Sequence, residues 1–149
     1  MRQRFEQQLN LGQTPISEIK ITIKSRDEMP PTARALQFIF TNEALNEKVF
    51  TLLEDKICKD KKKTGRKGMD LWHILVLAVM RHATGVNWDR LHLMANQDSL
   101  VRSIMGVPRN NFSEDDFDFE YQNILDNVRL VDEDLLYAIN AIVVEAGQQ

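Results

Sequence analysis

The chain has little of what marks secreted, membrane-spanning or sheet-rich proteins. A single cysteine, Cys58, stands in 149 residues, so no internal disulfide can form and a cysteine-based zinc site is excluded. That usage suits a reducing cytoplasm. Only four prolines and six glycines punctuate the chain, and alternating Val, Ile and Thr are scarce, so mostly helical structure is expected. No apolar run reaches the roughly 18 residues needed to cross a bilayer. The opening MRQRFEQQLNLGQTP carries bases with no apolar core behind them, so no signal peptide is expected.

What is present is an ordinary globular balance, 43% hydrophobic and 28% charged, which argues against disorder throughout. A length of 149 residues fits one domain, with residues 1–29 as an N-terminal arm and 30–149 as a helical core. The net charge of −3 and sequence pI near 5.6 argue mildly against a simple nucleic-acid binder, but they hide an uneven distribution. From Lys56 to Gly68 seven bases face one acid, and from Ser113 to Asp134 nine acids face one base, Arg129. The molecule is electrically two-ended.

The spacing predicts an all-α fold, an orthogonal or helix-turn-helix-like bundle, with at most one short N-terminal strand. Residues 3–11 suit a short helix ended by Gly12. Residues 18–25 alternate Ile19, Ile21 and Ile23 with polar neighbours, which is the one strand signal. A helix capped by Asp27 and opened by Pro30 and Pro31 runs to about Thr41 and buries Leu36, Ile39 and Phe40. Asn42 caps the next, to about Lys59, with Leu45, Val49, Leu52, Leu53 and Ile57 on one face. Asp70 caps a helix apolar nearly all round, Leu71 to about His82, the expected centre of the core. Further helices are expected over 88–95, 99–105 (stopped by Gly106 and Pro108), 116–127 (with Ser113 and Asp116 as a capping pair) and 132–145.

The residues offer no catalytic constellation. His73 and His82 stand nine apart, so on one helix they point to opposite sides and cannot share a metal. Cys58 has no His–Asp partnership in view. The acids of SEDDFDFE lack the Gly hinge and ligand alternation of a calcium loop and read as a solvated helix start. TGRKG has neither the spacing nor the preceding strand of a phosphate loop. No enzyme activity, metal, cofactor or small-molecule substrate is expected.

Residues 70–106 form a compact helical trio with a turn at Gly85. It reads either as a helical hairpin or as a helix-turn-helix, whose second helix enters a DNA groove. Leu91 and Met94 would face inward. Asn87, Arg90 and Gln97 are plausible base readers, whereas Asp89 and Asp98 suit phosphates poorly.

The stretch TGRKGMDLWHILVLAVMRHATGVNWDRLHLMANQDSLVRSIMGV resembles the N-terminal domain of bacterial insertion-sequence transposases. In that group the catalytic domain is an RNase H-like fold with a DDE carboxylate triad. The matching features are Gly65-Arg66, Asp70, the apolar helix 71–80 with Arg81, Gly85, Trp88 to Leu91, and Arg102 before Met105-Gly106. RFEQQLNLGQTPISEIKI and KSRDEMPP also resemble the start of one transposase group.

The resemblance implies a transposase-type domain without the chemistry, in a bacterial cytoplasm and associated with the nucleoid. Its catalytic carboxylates would lie beyond residue 149. It would contact transposon terminal repeats or assemble the transposase multimer. On the first reading Lys59, Lys61, Lys62, Lys63, Arg66 and Lys67 neutralise phosphates while Asn87 and Arg90 meet a groove. On the second the chain is a homo-oligomerising module without intrinsic DNA affinity, using strand 18–25 and the face 135–143.

Overall fold

The computed structural model describes residues 4–5, 15–21, 29–57, 69–107 and 119–147. Among these the fold is all-α: a 3-10 turn at Ile16–Glu18 and seven α-helices. These are α1 (Met29–Thr41), α2 (Glu43–Ile57), α3 (Leu71–Thr84), α4 (Trp88–Gln97), α5 (Ser99–Met105), α6 (Tyr121–Val128) and α7 (Glu133–Gly147).

The apolar helix is central, as its all-round pattern requires. α3 buries eight residues and packs against α1, α2, α4, α5 and α6. One continuous hydrophobic cluster runs from Ile16 to Ile139, with Trp72, Ile74, Leu75 and Leu77 fully enclosed. α1 buries Ala33, Leu36 and Ile39, while Phe40 is half-buried. α2 buries Leu45, Val49 and Leu53, and also Phe50. The caps at Asn42 and Asp132 form: Asn42 Oδ1 accepts the Leu45 N–H at 3.1 Å, and Asp132 Oδ1 accepts the Leu135 N–H at 2.8 Å.

Five expectations need correction or fall outside the described residues. No strand occurs among the described residues of 18–25: Glu18 belongs to the 3-10 turn, and Ile19–Ile21 have no ladder partner. Part of the backbone here is engaged by α1 instead, whose Gln37 Nε2 donates to the carbonyls of Ile16 (3.0 Å) and Ile19 (2.9 Å). Asp70 holds the cap position of α3, but its side chain takes no helix N–H. That role passes to Arg4, whose carbonyl accepts the Trp72 N–H at 2.9 Å. Arg4 and Phe5 are not helical; the rest of the expected helix 3–11, Asp27, and Ser113 with Asp116 lie outside the described residues.

The acidic stretch enters its helix later than expected, at Tyr121 rather than 116. Phe119 is held out of any helix because Asn96 takes both of its backbone groups. Asn96 Oδ1 accepts the Phe119 N–H at 2.8 Å, and Asn96 Nδ2 donates to the Phe119 carbonyl at 2.9 Å. A side chain in α4 thus fixes where α6 begins.

Candidate nucleic-acid interface

The α3–turn–α4 unit is built by three local devices. Gly85 adopts φ 68°, the left-handed conformation that a helix C-terminus favours and that a Cβ penalises, and its N–H donates to the Arg81 carbonyl at 2.8 Å. Asn87 then caps α4, its Oδ1 accepting the Arg90 N–H at 2.8 Å. Across the turn the Arg81 guanidinium stacks on the Trp88 ring, 4.1 Å from its centroid. Leu91 and Met94 face the core. The solvent face of α4 carries Asp89, Arg90 and Gln97.

α4 and α5 meet at one residue. Asp98 ends the first and caps the second, its Oδ1 accepting the N–H groups of Leu100 (3.0 Å) and Val101 (3.1 Å). This explains an acid that looked misplaced for phosphate contact. The orphan carbonyls at the end of α5 are taken by α3: the Trp72 indole N–H donates to Ile104 O at 2.8 Å, and His73 Nε2 donates to Met105 O at 3.1 Å. Burial, the largest cause, holds the His73 pKa below its ordinary value, with Asp70 and the Met105 carbonyl opposing. Arg102 is 3% exposed and donates from Nη1 to the Ala95 carbonyl at 3.0 Å, so this basic residue braces α4 against α5 from inside.

The expected site residues divide into two groups. Lys59, Lys61, Lys62, Lys63, Arg66 and Lys67 lie outside the described residues. The segment holding them departs from the end of α2 and enters α3 through Met69 and Asp70. Asn87 and Arg90 are both exposed and adjacent at the start of α4, at the opposite end of α3. Fourteen residues of α3 put about 20 Å between its two ends. The structure therefore joins Asn87 to Arg90 and separates that pair from the entry of the basic segment.

Asn87 is constrained further. Bidentate reading of adenine needs both its amide oxygen and its amide nitrogen, and the oxygen is committed to the cap. Only the nitrogen remains for a groove. Arg81 is the residue that periodicity alone passed over; its signal is the seven-residue spacing to Trp88 across a Gly turn, which stacks a cation on a ring.

Elsewhere, a largely apolar cleft of about 260 Å³ opens between α1, α3 and α7, lined by Leu36, Ile39, Val79, Leu136 and Val143 among others. Among the described residues no helix is long and apolar enough to cross a membrane, and no three His, Cys, Asp or Glu side chains converge as metal ligands would. Comparison of the chain with protein-family models, curated proteins and solved structures gives no match.

Proposed function

We propose that this chain is a non-catalytic DNA-binding module of the kind that opens an insertion-sequence transposase, acting in a bacterial cytoplasm on transposon terminal repeats. The observation that carries the reading is one of continuity. A segment with seven bases and one acid runs directly into α3, the first helix of an α3–Gly turn–α4 unit whose second helix offers Arg90 to solvent. Two points of contact about 20 Å apart would span roughly six base pairs, little more than half a turn of duplex. The lysines would supply affinity and α4 the register.

Fluorescence anisotropy of the full chain on duplex from its element's ends, with a salt titration and a scrambled competitor, tests this. Three or four phosphate contacts give a log–log salt slope near −3. Binding that does not weaken between low and moderate salt would remove the proposal. Replacing Lys61, Lys62, Lys63, Arg66 and Lys67 together should abolish binding and leave the helical content unchanged.

A second reading is favoured by α7. Tyr137 and Val144 are exposed beside the apolar cleft, and every charged residue of the helix is an acid. A second copy of this chain, bringing its basic segment to that acidic helix, fits this surface by charge. A strictly monomeric chain by light scattering at micromolar concentration and low salt would exclude it.

A further inference from the structure

The arginines differ in how their charge is met. Arg4 donates to Glu54 at 2.6 Å and to Glu47 at 2.7 Å, and Arg129 lies 3.6 Å from Asp126. The buried Arg102 donates to the Ala95 carbonyl. Arg81 has neither a carboxylate nor a carbonyl on its side chain among the described residues. Its guanidinium lies over the Trp88 ring instead, 4.1 Å from the centroid.

The three nitrogens of that guanidinium are not equivalent. Nε is buried and makes no hydrogen bond. Nη1 and Nη2 make none either but are not enclosed with it, so both are open to solvent. An arginine can grip an anion side-on, through Nε and one Nη, or end-on, through both Nη groups. Burial of Nε closes the first mode. What remains is an end-on fork of two donors, suited to two oxygens of one anion, on a side chain whose freedom the ring already limits.

The fork has a defined place on the candidate interface. The left-handed turn at Gly85 brings α4 back so that its first residue, Trp88, covers Arg81 from the last turn of α3. Trp88 and Arg90 are two residues apart, so they point about 200° apart around the axis of α4. Leu91 and Met94 lie between them on the core side, and exposed Asp89 and Gln97 on the solvent side. The solvent face of α4 is therefore flanked by a cation at each edge, Arg81 at one and Arg90 at the other. Arg90 forms no ion pair among the described residues either. A helix lying in a DNA groove has a phosphate strand on each side of it.

We infer that Arg81 is a phosphodiester contact, its end-on Nη fork held by Trp88 at the edge of α4 opposite Arg90. The inference rests on the DNA-binding reading above and adds to it a contact made from α3 rather than from the lysine segment. Trp88 is a positioning residue that acts through Arg81.

The full-length variants Arg81→Gln, Arg81→Lys and Trp88→Leu test it, with the fold checked by circular dichroism and urea melts. Binding is read by fluorescence anisotropy on terminal-repeat and scrambled duplexes across a salt series. Arg81→Gln keeps the stem and loses the charge. It should weaken binding to both duplexes about five- to tenfold and reduce the log–log salt slope by about 0.9. Arg81→Lys keeps the charge without the fork, so it should hold the slope and recover part of the loss. Trp88→Leu should hold the slope and weaken binding about threefold. Unchanged affinity and slope in Arg81→Gln, with a lowered urea midpoint, would make the stack a brace of the turn and overturn the inference. A loss confined to the terminal-repeat duplex would make Arg81 a base reader and overturn it too. Loss of self-association by light scattering, with DNA binding intact, would give the fork a carboxylate on a second copy instead. If the unaltered chain binds neither duplex, the DNA reading fails and this contact with it, an outcome distinct from bound DNA that is indifferent to Arg81.

Discussion

Helices α3 and α7 are nearly equal in length, 14 and 15 residues, and both are rich in apolar side chains, yet α3 buries eight of its residues and α7 only Leu135 and Ile139. The difference lies in their neighbours. α3 is surrounded by five other helices, and its polar groups are tied to distant backbone: Trp72 and His73 to the end of α5, and its first turn to Arg4. α7 rests chiefly on α2 and leaves Tyr137 at 67% and Val144 at 49% exposure. Apolar composition makes a helix able to be buried; what surrounds it decides whether it is.

The contrast has measurable consequences. Trp72→Ala should cost about 3–5 kcal/mol, since it empties a fully enclosed site and strips the Ile104 carbonyl of its donor. In urea this would appear as a large fall in midpoint, or as failure to fold. Asn96→Ala should cost about 1–3 kcal/mol by unpairing the Phe119 N–H, while the Phe119 carbonyl keeps the His92 Nε2 donor at 2.9 Å, and the amides at the start of α6 should exchange faster.

His73 gives the α3 side a pH dependence. Its folded pKa lies below its ordinary value, so the neutral form is the one the fold stabilises. That contribution is fully present above the ordinary value near 6.5 and is lost as pH falls through the lower folded pKa. Thermal melts should drop in this window, and His73→Gln should flatten the drop.

Gly85→Ala should cost about 1 kcal/mol. A Cβ there meets nothing within 4 Å, so the whole penalty comes from φ +68° and should be the same at high and low salt. Tyr137→Ala, on the α7 side, should change monomer stability by less than about 0.5 kcal/mol. A much larger loss that grows with protein concentration would mean that α7 is covered in solution, and the contrast between the two helices would narrow.

The sequence carried much of this fold in local signals. The all-round apolar pattern of 71–80, the caps at Asn42 and Asp132, and the stop at Gly106 are each written within a few residues, and each is present. What was not legible depends on partners distant along the chain. Over its described part, 18–21, the strand signal gives way to the end of a 3-10 turn, and Gln37, on a helix that begins some residues later, takes the Ile19 carbonyl. The start of α6 is set by Asn96, and the cap of α3 by Arg4. At the candidate interface, the exposure of Asn87 and Arg90 followed from periodicity. The cap that engages the Asn87 oxygen, and the distance between the two contact points, needed the fold.

Asp98 is at once the C-cap of one helix and the N-cap of the next, the single residue between them. A junction with no spare residue behaves as a rigid elbow: adding or removing a single amino acid would turn everything beyond it by about 100° about the helix axis. The Arg102 brace and the Trp72 and His73 bonds would then all miss their carbonyls together. An insertion scan across the protein should therefore show its narrowest tolerance at this position, so that a partner bending α4 would move α5 with it as one body.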